Sequence, residues 1–293
     1  MRLALISWNL HGAPPASRII PRLRAVAREI ERRSPDVVLL QEVWTRVQGR
    51  LISRRLPGYV RIDPPIDGWL RTGGLLTLVS RASGLHVLGS HFEPYTAHAP
   101  SWKLWEGDGL AHKGMLTVDL ALDSERLSVT NTHLQASYRR GGYRQVRAAQ
   151  LEQLRSAVAR VDEGVPTLLG GDLNTHPHED DLWGNLRNET LDLTRSYRER
   201  CGCGTSVGGN GWIDYVLARR DPEWSIDATR VDRILSRELD DPYSDHQGLD
   251  LQIEIQRTRS ARAAGTLERI LAPATRRAWL AELARLLVRG PLG

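Results

Sequence analysis

The chain has 293 residues, 41% of them hydrophobic, and its 40 basic and 35 acidic residues leave a net charge of +5. A chain of this length and apolar content buries a sizeable core, which excludes a disordered protein. No apolar run is long enough to cross a bilayer, and the N-terminus lacks the apolar core of a secretory signal. We therefore expect a compact soluble protein, bacterial in its arginine-rich composition, that is cytoplasmic or secreted after removal of a signal not present in this chain.

Short apolar runs bounded by glycine, proline and polar residues recur along the chain and predict β-strands. In chain order they are RLALISW, DVVLLQEV, GLLTLVS, LHVLGS, GMLTVDLAL, RLSVTNT, VPTLLGG, IDYVLA and GLDLQIEI. Apolar residues at helical spacing predict two helices, over SRIIPRLRAVAREIERRS and YRQVRAAQLEQLRSAVARV. This mixture predicts a sheet-rich α/β protein with helices packed on its sheets.

The basic charge is concentrated at the C-terminus. Residues 256–293 carry eight arginines and two glutamates, which leaves the first 255 residues near −1. We therefore predict a main domain over 1–255 and a basic tail over 256–293 that forms one or two amphipathic helices broken by Pro273. Three roles fit such a tail: packing on the domain, contact with an anionic membrane, or an oligomer contact.

The two cysteines give no framework for a disulfide-stabilised fold. Cys201 and Cys203 are one residue apart, a spacing that strains a disulfide and falls short of a structural zinc site. We expect both to be free thiols.

Polar side chains stand at the ends of several predicted strands, where an apolar stretch anchors them. They are Asn9, Glu42, Asp172, Asn174, Asp245 and His246. Strand ends hold functional groups more precisely than long loops do. Oxygen ligands of this type suit a hard cation such as Mg²⁺ or Mn²⁺, which takes one or two carboxylates and keeps waters for a substrate phosphate. The cluster predicts metal-assisted phosphoryl chemistry.

Two histidines complete this set, His133 in VTNTHLQA and His246 in YSDHQG. A histidine takes a proton from water near neutral pH, and a carboxylate on its other ring nitrogen fixes the tautomer and stabilises the imidazolium. Asp214, in GWIDYVLA, is the candidate for that carboxylate. The second histidine is a candidate donor to a phosphoryl oxygen as negative charge builds.

Six motifs in order resemble the motif series of the endonuclease/exonuclease/phosphatase superfamily. They are SWNLHG, LQEVW, NTHLQA, GGDLNTHP, WIDYVLA and YSDHQGL, and the series spans residues 5 to about 254. The resemblance implies the DNase I-like fold, a four-layer α/β/β/α sandwich of two packed mixed sheets. It also makes residues 1–255 the catalytic domain.

The resemblance implies that Glu42 is the metal-binding glutamate and Asn9 the metal-side asparagine, with Mg²⁺ as the ion and Mn²⁺ as a substitute. It implies that Asp245 contacts the metal or water.

Catalytic roles are implied for five further positions. His246 resembles the general base, and Asp214 the acid that orients it. Asp172 and Asn174 resemble the pair that positions nucleophile and phosphate, and His133 the histidine that stabilises the phosphoryl oxygens. TGGLLTLVSR offers no glutamate to support that histidine, as some members have.

Within the superfamily, THLQA followed by RAAQLEQL, QEVW and AHKGMLTVDL are similar to stretches of the neutral sphingomyelinase-like branch. One of only two lysines, Lys113, lies in the last of these, so we expect it to contact a substrate phosphate, with a solvated surface as the alternative. Trp102 and Trp105 suit a membrane interface or fold back onto the core. Residues 221–243 hold an ordinary strand in place of the long hydrophobic hairpin of secreted bacterial sphingomyelinases.

The function predicted from these motifs is hydrolysis of a phosphodiester, with a phospholipid as the favoured substrate and peripheral membrane contact through the tail or the tryptophans. A DNA or RNA nuclease is the alternative and would need a basic groove. A small-molecule phosphatase uses the same apparatus and stays open. The intact set of acids and histidines argues against a non-catalytic scaffold.

Overall fold

The structure is a computed structural model that describes residues 1–12, 18–64, 66–67, 70–99, 112–137, 142–207, 211–235 and 244–258. Trp102, Trp105 and the tail beyond residue 258 lie outside these ranges, so the expectations for them stay predictions. The helices are α1 (Ile19–Arg33), α2 (Arg46–Arg55), α3 (Arg144–Ala159), α4 (Asp180–Trp183), α5 (Leu186–Glu189) and α6 (Arg195–Cys201), with a 3₁₀ turn at Thr72–Gly74. The strands are β1 (Arg2–Asn9), β2 (Val37–Gln41), β3 (Tyr59–Ile62), β4 (Ile66–Asp67), β5 (Leu70–Arg71), β6 (Leu76–Ser80), β7 (His86–Pro94), β8 (Gly114–Leu122), β9 (Glu125–His133), β10 (Thr167–Asp172), β11 (Thr190–Asp192), β12 (Asp214–Arg219), β13 (Trp224–Ile234) and β14 (Gly248–Arg257).

The described strands form two six-stranded mixed sheets and one short pair. The first sheet has the order β13-β14-β1-β2-β6-β3 and the second the order β11-β12-β10-β9-β8-β7, while β4 pairs with β5. Each large sheet contains one parallel pair, β1 with β2 and β9 with β10. One apolar core fills the space between the sheets and continues to α3 and α4, and a second lies between the first sheet and α1 and α2. This is the predicted α/β/β/α order of layers.

Residues along β1 alternate between the two faces of the first sheet. Leu3 and Leu5 belong to the core between the sheets, whereas Ile6 and Trp8 belong to the core beneath α1. Because side chains of a strand alternate with period two, Asn9 falls on the face that looks toward the second sheet. The strand that supplies both cores therefore also delivers its last residue to the space between the sheets.

The helix α1 forms where the sequence predicts it. Its residues Leu23, Val26, Ala27 and Ile30 recur at i, i+3, i+4 and i+7, and all are buried against the first sheet.

The helix α2 was not predicted, because it is short and carries Gly49 in its middle. It begins with a capping box. The side chain of Thr45 accepts a hydrogen bond from the backbone N–H of Gln48, whose side chain accepts one from the backbone N–H of Thr45. Ile52 anchors its buried face.

Gly170 and Gly171 bring the end of β10 into close contact with its neighbours. A Cβ atom at Gly170 would lie 2.6 Å from Cδ1 of Leu39 on the first sheet. At Gly171, whose φ is 147°, a Cβ atom would collide with the carbonyl oxygen of Thr132 on β9. Gly171 therefore has to be glycine, whereas a larger residue at Gly170 would displace the buried side chain of Leu39. Asp172 follows directly.

Cys201 and Cys203 form a disulfide, so the prediction of free thiols is wrong. The helix α6 ends at Cys201, and Gly202 caps it in a left-handed conformation with φ of 55°. This turn brings the two Cα atoms to 5.1 Å, which lies within the range that a disulfide requires.

The predicted division into a catalytic domain over 1–255 and a tail over 256–293 stays a prediction. β14 pairs with β1 and β13 and continues to Arg257, two residues past the predicted boundary. No helix in the described part of the chain combines the length and apolarity needed to span a membrane.

Candidate active site

Three predicted site residues stand in one row across the second sheet. Asp172, the last residue of β10, is in register with His133 of β9 on one side and with Asp214 of β12 on the other. Side chains directly opposite one another on neighbouring strands project from the same face. All three residues are buried. The strand pairing itself therefore assembles this part of the site.

His246 reaches this row from the connection that precedes β14. Its Nδ1 lies 2.8 Å from Oδ2 of Asp214, and its Nε2 lies 3.6 Å from Oδ2 of Asp172. The backbone of His246 is fixed as well, since the indole Nε1 of Trp8 donates to the carbonyl oxygen of His246 and the backbone N–H of His246 donates to Oγ of Ser244. Nδ1–H thus donates to Asp214, and Nε2 faces the site.

The charges around His246 favour its protonated form. Burial alone would lower the pKa of His246, but the carboxylates of Asp214 and Asp172 outweigh burial and raise that pKa above its usual value. For Asp172, burial raises the pKa above its usual value, while the positive charges of His246 and Lys113 oppose the rise. The imidazolium that forms when His246 takes up a proton is therefore stabilised by two acids.

Asn9 joins the two sheets at the site. Its Nδ2 donates to Oε1 of Glu42 at 3.2 Å and to Oδ2 of Asp172 at 2.9 Å, while its Oδ1 accepts from the backbone N–H of His11 at 2.9 Å. That backbone donor fixes the orientation of the amide, so its nitrogen faces the carboxylates. In this geometry Asn9 positions two acids, and its predicted place on the metal side stays a prediction.

Several site residues adopt left-handed backbone conformations, with φ of 59° at Glu42, 46° at Asn174 and 47° at His11. Such a conformation costs a residue other than glycine about 1–2 kcal/mol. Strain of this kind persists only where the surroundings enforce it, and it collects at functional sites.

Lys113 is buried rather than solvated. Its Nζ lies 3.0 Å from Nε2 of His133 and donates to the carbonyl oxygen of Leu134 at 2.8 Å. An ammonium group only donates, so Nε2 of His133 accepts and the ring proton resides on Nδ1. Burial, with the positive charges of Lys113 and His246, holds the pKa of His133 well below its usual value. His133 is therefore neutral, and the positive charge of this pair is on Lys113.

Asn174 holds Asp172 and the Leu134 carbonyl in place through hydrogen bonds. Its backbone N–H donates to Oδ1 of Asp172 at 2.8 Å, and its Nδ2 donates to the Leu134 carbonyl that also accepts from Lys113.

Two residues that the sequence reasoning left without a task lie at the mouth of the site. Nδ1 of His11 lies 2.9 Å from Oδ2 of Asp245, and this hydrogen bond raises the pKa of His11. The other oxygen of Asp245 lies 3.9 Å from Nε2 of His246. Ser244 donates to the carbonyl oxygen of Asn9 and so ties the end of β1 to the connection that carries His246. His11 lies in the motif SWNLHG and Ser244 in YSDHQG, but only the folded structure shows which residues they contact.

The donor chemistry fits a divalent cation on the side of Glu42 and Asp172, because one amide bridges two carboxylates there and hard cations prefer oxygen ligands. A second group, Asp172, Asp214 and His246, brings ligand-type atoms within 4.8 Å of one another. Two members of that group are hydrogen-bonded to each other at 2.8 Å, so we interpret it as a proton relay.

The chain belongs to the Endonuclease/Exonuclease/phosphatase family, whose model matches residues 6–246. Human sphingomyelin phosphodiesterase 2 is 28% identical over 224 residues, which cover 73% of this chain and 50% of that protein. The inositol phosphosphingolipids phospholipase C of Schizosaccharomyces pombe is 27% identical over 183 residues, which cover 60% of this chain and 42% of that protein. The chain therefore spans half or less of the length of these relatives.

A solved structure confirms the predicted fold. The crystal structure of D. rerio TDP2 complexed with a single strand DNA product matches with a TM-score of 0.72 at 18% identity, over 86% of this chain and 99% of that one. The family and the DNase I-like architecture predicted from the six motifs are thus both confirmed.

Proposed function

We propose that this protein is a divalent-metal-dependent phosphodiesterase that cleaves a phospholipid of the sphingomyelin type by attack of water. The observation that carries the proposal is the placement of His246, which is bonded to Asp214 through Nδ1 and turns Nε2 toward Asp172. A base held in one tautomer, next to carboxylates bridged by Asn9, is the arrangement that activation of water at a phosphate requires.

In this mechanism the neutral form of His246 takes a proton from the attacking water at Nε2, and Asp214 stabilises the imidazolium that results. Asp172, fixed by the amides of Asn9 and Asn174, orients that water. Glu42 would hold a divalent cation, which would supply polarisation of a phosphoryl oxygen.

The ammonium group of Lys113 stabilises the negative charge that develops on the phosphoryl group, and His133 holds this ammonium group in place. Asp245, paired with His11, lines the entrance on the side of the base.

The lipid substrate rests on the sequence relatives. Two of them have sphingolipid substrates in their names, and AHKGMLTVDL, which carries Lys113, is part of the resemblance to that branch. The similarity to TDP2 supports the fold alone, because the sequence identity is only 18%. A nuclease or a small-molecule phosphatase is therefore an outcome of the assay rather than a second proposal.

The test is hydrolysis of sphingomyelin in detergent micelles, nicking of supercoiled plasmid and hydrolysis of the soluble diester bis(p-nitrophenyl) phosphate. The variants are His246→Ala and, as a control, His178→Ala, which removes an exposed histidine. We expect release of choline phosphate, with turnover reduced about 10³-fold or more in His246→Ala and unchanged in the control. Near wild-type turnover in His246→Ala would exclude its role as base, and plasmid nicking in place of lipid hydrolysis would identify a nuclease.

Glu42→Gln tests the metal ligand. We expect the Mg²⁺ concentration for half-maximal activity to rise about tenfold or more, because one carboxylate ligand is lost. Glu31→Gln, a change of an exposed acid on α1, is the matched control. An unchanged Mg²⁺ titration in Glu42→Gln would remove Glu42 from the metal site.

A further inference from the structure

The first sheet carries a strongly basic outer surface. Every residue from 18 to 55 is described, and the exposed charged side chains in this segment are eight arginines and one glutamate. The arginines are Arg18, Arg24, Arg28, Arg32, Arg46, Arg50, Arg54 and Arg55, and we call this surface the arginine face. Of its members, Arg32 is neutralised by the buried Glu29. The net charge of the first 255 residues is near −1, so the composition did not indicate this surface. It forms because α1 and α2 pack side by side.

An open apolar groove of about 490 Å³ lies at one end of the arginine face, between the N-terminal ends of α1 and α2. Ile19, Ile20 and Pro21 line it from α1, and Val47 and Leu51 line it from α2. Ile20 is 48% exposed and Val47 is 62% exposed. An exposed apolar strip surrounded by arginines has the composition of an interfacial membrane helix.

The groove borders the active site because of the strand order. β1 and β2 are parallel, so Asn9 and Glu42 end up at the same edge of the sheet, and α1 and α2 both begin there. Hydrogen bonds connect the two regions directly. Nε2 of Gln48 donates to the carbonyl oxygen of Gly12, and a guanidinium nitrogen of Arg22 donates to the carbonyl oxygen of His11.

We propose that the arginine face and its groove form a docking surface for an anionic phospholipid bilayer. Val47 and Ile20 insert at the level of the headgroups, and the surrounding arginines contact lipid phosphates. Its residues differ from those of the tail and from Trp102 and Trp105, for which membrane contact was predicted from the sequence. The purpose of docking, which is delivery of a lipid to the neighbouring active site, rests on the proposed function.

Charge complementarity selects an anionic partner, and the apolar groove selects a membrane over a nucleic acid. Proteins that bind single strands stack bases on exposed aromatic rings. The segment 18–55 offers none, since its aromatic residue, Trp44, is only 7% exposed. Exposed Ile20 and Val47 have no favourable contact with a phosphate backbone, whereas they partition into a lipid interface.

Co-sedimentation of the full chain with vesicles tests this surface. The vesicles are phosphatidylcholine alone and phosphatidylcholine mixed with phosphatidylserine. We expect binding to the mixed vesicles that is weakened about tenfold or more by Arg46→Glu with Arg50→Glu, and also by Val47→Asp. The matched controls are Arg200→Glu with Arg220→Glu, two exposed arginines elsewhere, and Leu88→Asp, at an exposed apolar residue on β7. Both controls should bind as the wild type does.

Two results would overturn the proposal. One is equal binding of the docking variants and the wild type to the mixed vesicles. The other is binding of the wild type to duplex DNA but not to vesicles, lost in Arg46→Glu with Arg50→Glu, which would make the arginine face a nucleic-acid surface.

Hydrolysis of bis(p-nitrophenyl) phosphate separates this proposal from the proposed function. If docking is the role of the arginine face, the docking variants keep this soluble activity and lose hydrolysis of lipid in vesicles. Vesicle binding without hydrolysis of any substrate would instead support the docking surface and contradict the proposed function.

Discussion

Asp172 receives contacts from both sheets and from three of the other motifs. Its Oδ2 accepts from Nδ2 of Asn9 and faces Nε2 of both His246 and His133, while its Oδ1 accepts from the backbone N–H of Asn174. A turn-like GGDLN stretch is thus the point where the metal side and the base side of the site meet. A change at this position would disturb the orientation of both sides together.

Lys113 provides the sharpest test at the residue scale. Lys113→Met keeps an unbranched side chain of similar length but removes the charge, so we expect kcat to fall about 10²-fold or more with little loss of fold stability. The pKa of His133 should rise, because one of the charges that lowers it is gone. Steady-state kinetics and NMR titration of His133 measure the two effects. An unchanged kcat would show that Lys113 does not meet the developing charge.

At the scale of elements, an amide pair bridges the two sheets behind the site. Nε2 of Gln41 on β2 donates to Oδ1 of Asn131 on β9 at 2.8 Å, and Nδ2 of Asn131 donates to the carbonyl oxygens of Leu40 and Leu76. These groups are buried, so each needs its partner. The bridge fixes the position of β2 relative to β9. Because β2 ends beside Glu42 and β9 ends at His133, it also fixes these two site residues relative to each other.

Asn131→Leu should lower the free energy of unfolding by about 2–4 kcal/mol, because it removes the shortest hydrogen bond of the buried Gln41 amide and a donor to two buried carbonyl oxygens. Urea denaturation measures the loss. The control is Thr117→Val with Thr130→Val, which removes both partners of a buried hydroxyl pair on neighbouring strands and should cost much less. A smaller loss for Asn131→Leu than for the control would show that the bridge does not hold the sheets.

The buried carboxylate of Glu29 stabilises the C-terminal end of α1. Glu29 accepts from Arg32 and Arg33, and Arg33 also bonds Asp250 of β14. The hydrogen bond from Arg32 lowers the pKa of Glu29 most, against the opposing effect of burial, and Arg33 adds to it.

A lowered pKa means that this carboxylate stabilises the fold above its usual pKa near 4.5, and that the contribution disappears as pH falls through the lower value of the folded state. We expect Glu29→Gln to cost about 1–2 kcal/mol at pH 7 and progressively less below pH of about 4. Unfolding curves of both proteins across this range measure the difference. A difference that does not change with pH would exclude the ion pairs as its source.

The sequence predicted the central strands and both long helices, because alternation and helical spacing record burial directly. The residues in the row of the second sheet were predicted from their motifs; the strand register brings them together, and their roles stay predictions. β8 was predicted residue for residue. It did not predict α2, the edge strand β3 or β11, which are short and half-buried. The pairing of His11 with Asp245 and the burial of Lys113 depend on contacts between distant segments, which no local pattern records. The disulfide depended on the turn at Gly202.

For the molecule as a whole, every predicted catalytic, substrate-binding and metal-binding residue lies in the described part of the chain. The backbone N–H of Ile255 donates to the carbonyl oxygen of Met1, and that of Thr258 donates to the carbonyl oxygen of Glu223, so residues at the first and last described positions are held by backbone hydrogen bonds.

A chain that ends after residue 258 should therefore keep the free energy of unfolding and the kcat of the full chain on a soluble phosphodiester. Denaturant unfolding and hydrolysis of bis(p-nitrophenyl) phosphate measure both. A large loss of either would place the tail within the folded domain and contradict the predicted boundary.

The row formed by His133, Asp172 and Asp214 also bears on how such an enzyme diversifies. Its spacing is set by backbone hydrogen bonds between β9, β10 and β12, not by the segments that follow these strands. Beyond Leu134 and Asn174, which contact the site, those segments can lengthen, shorten or change in composition while the row stays in place. Selection on substrate and selection on chemistry thus act on separate parts of the chain, so a new substrate can be acquired without rebuilding the catalyst.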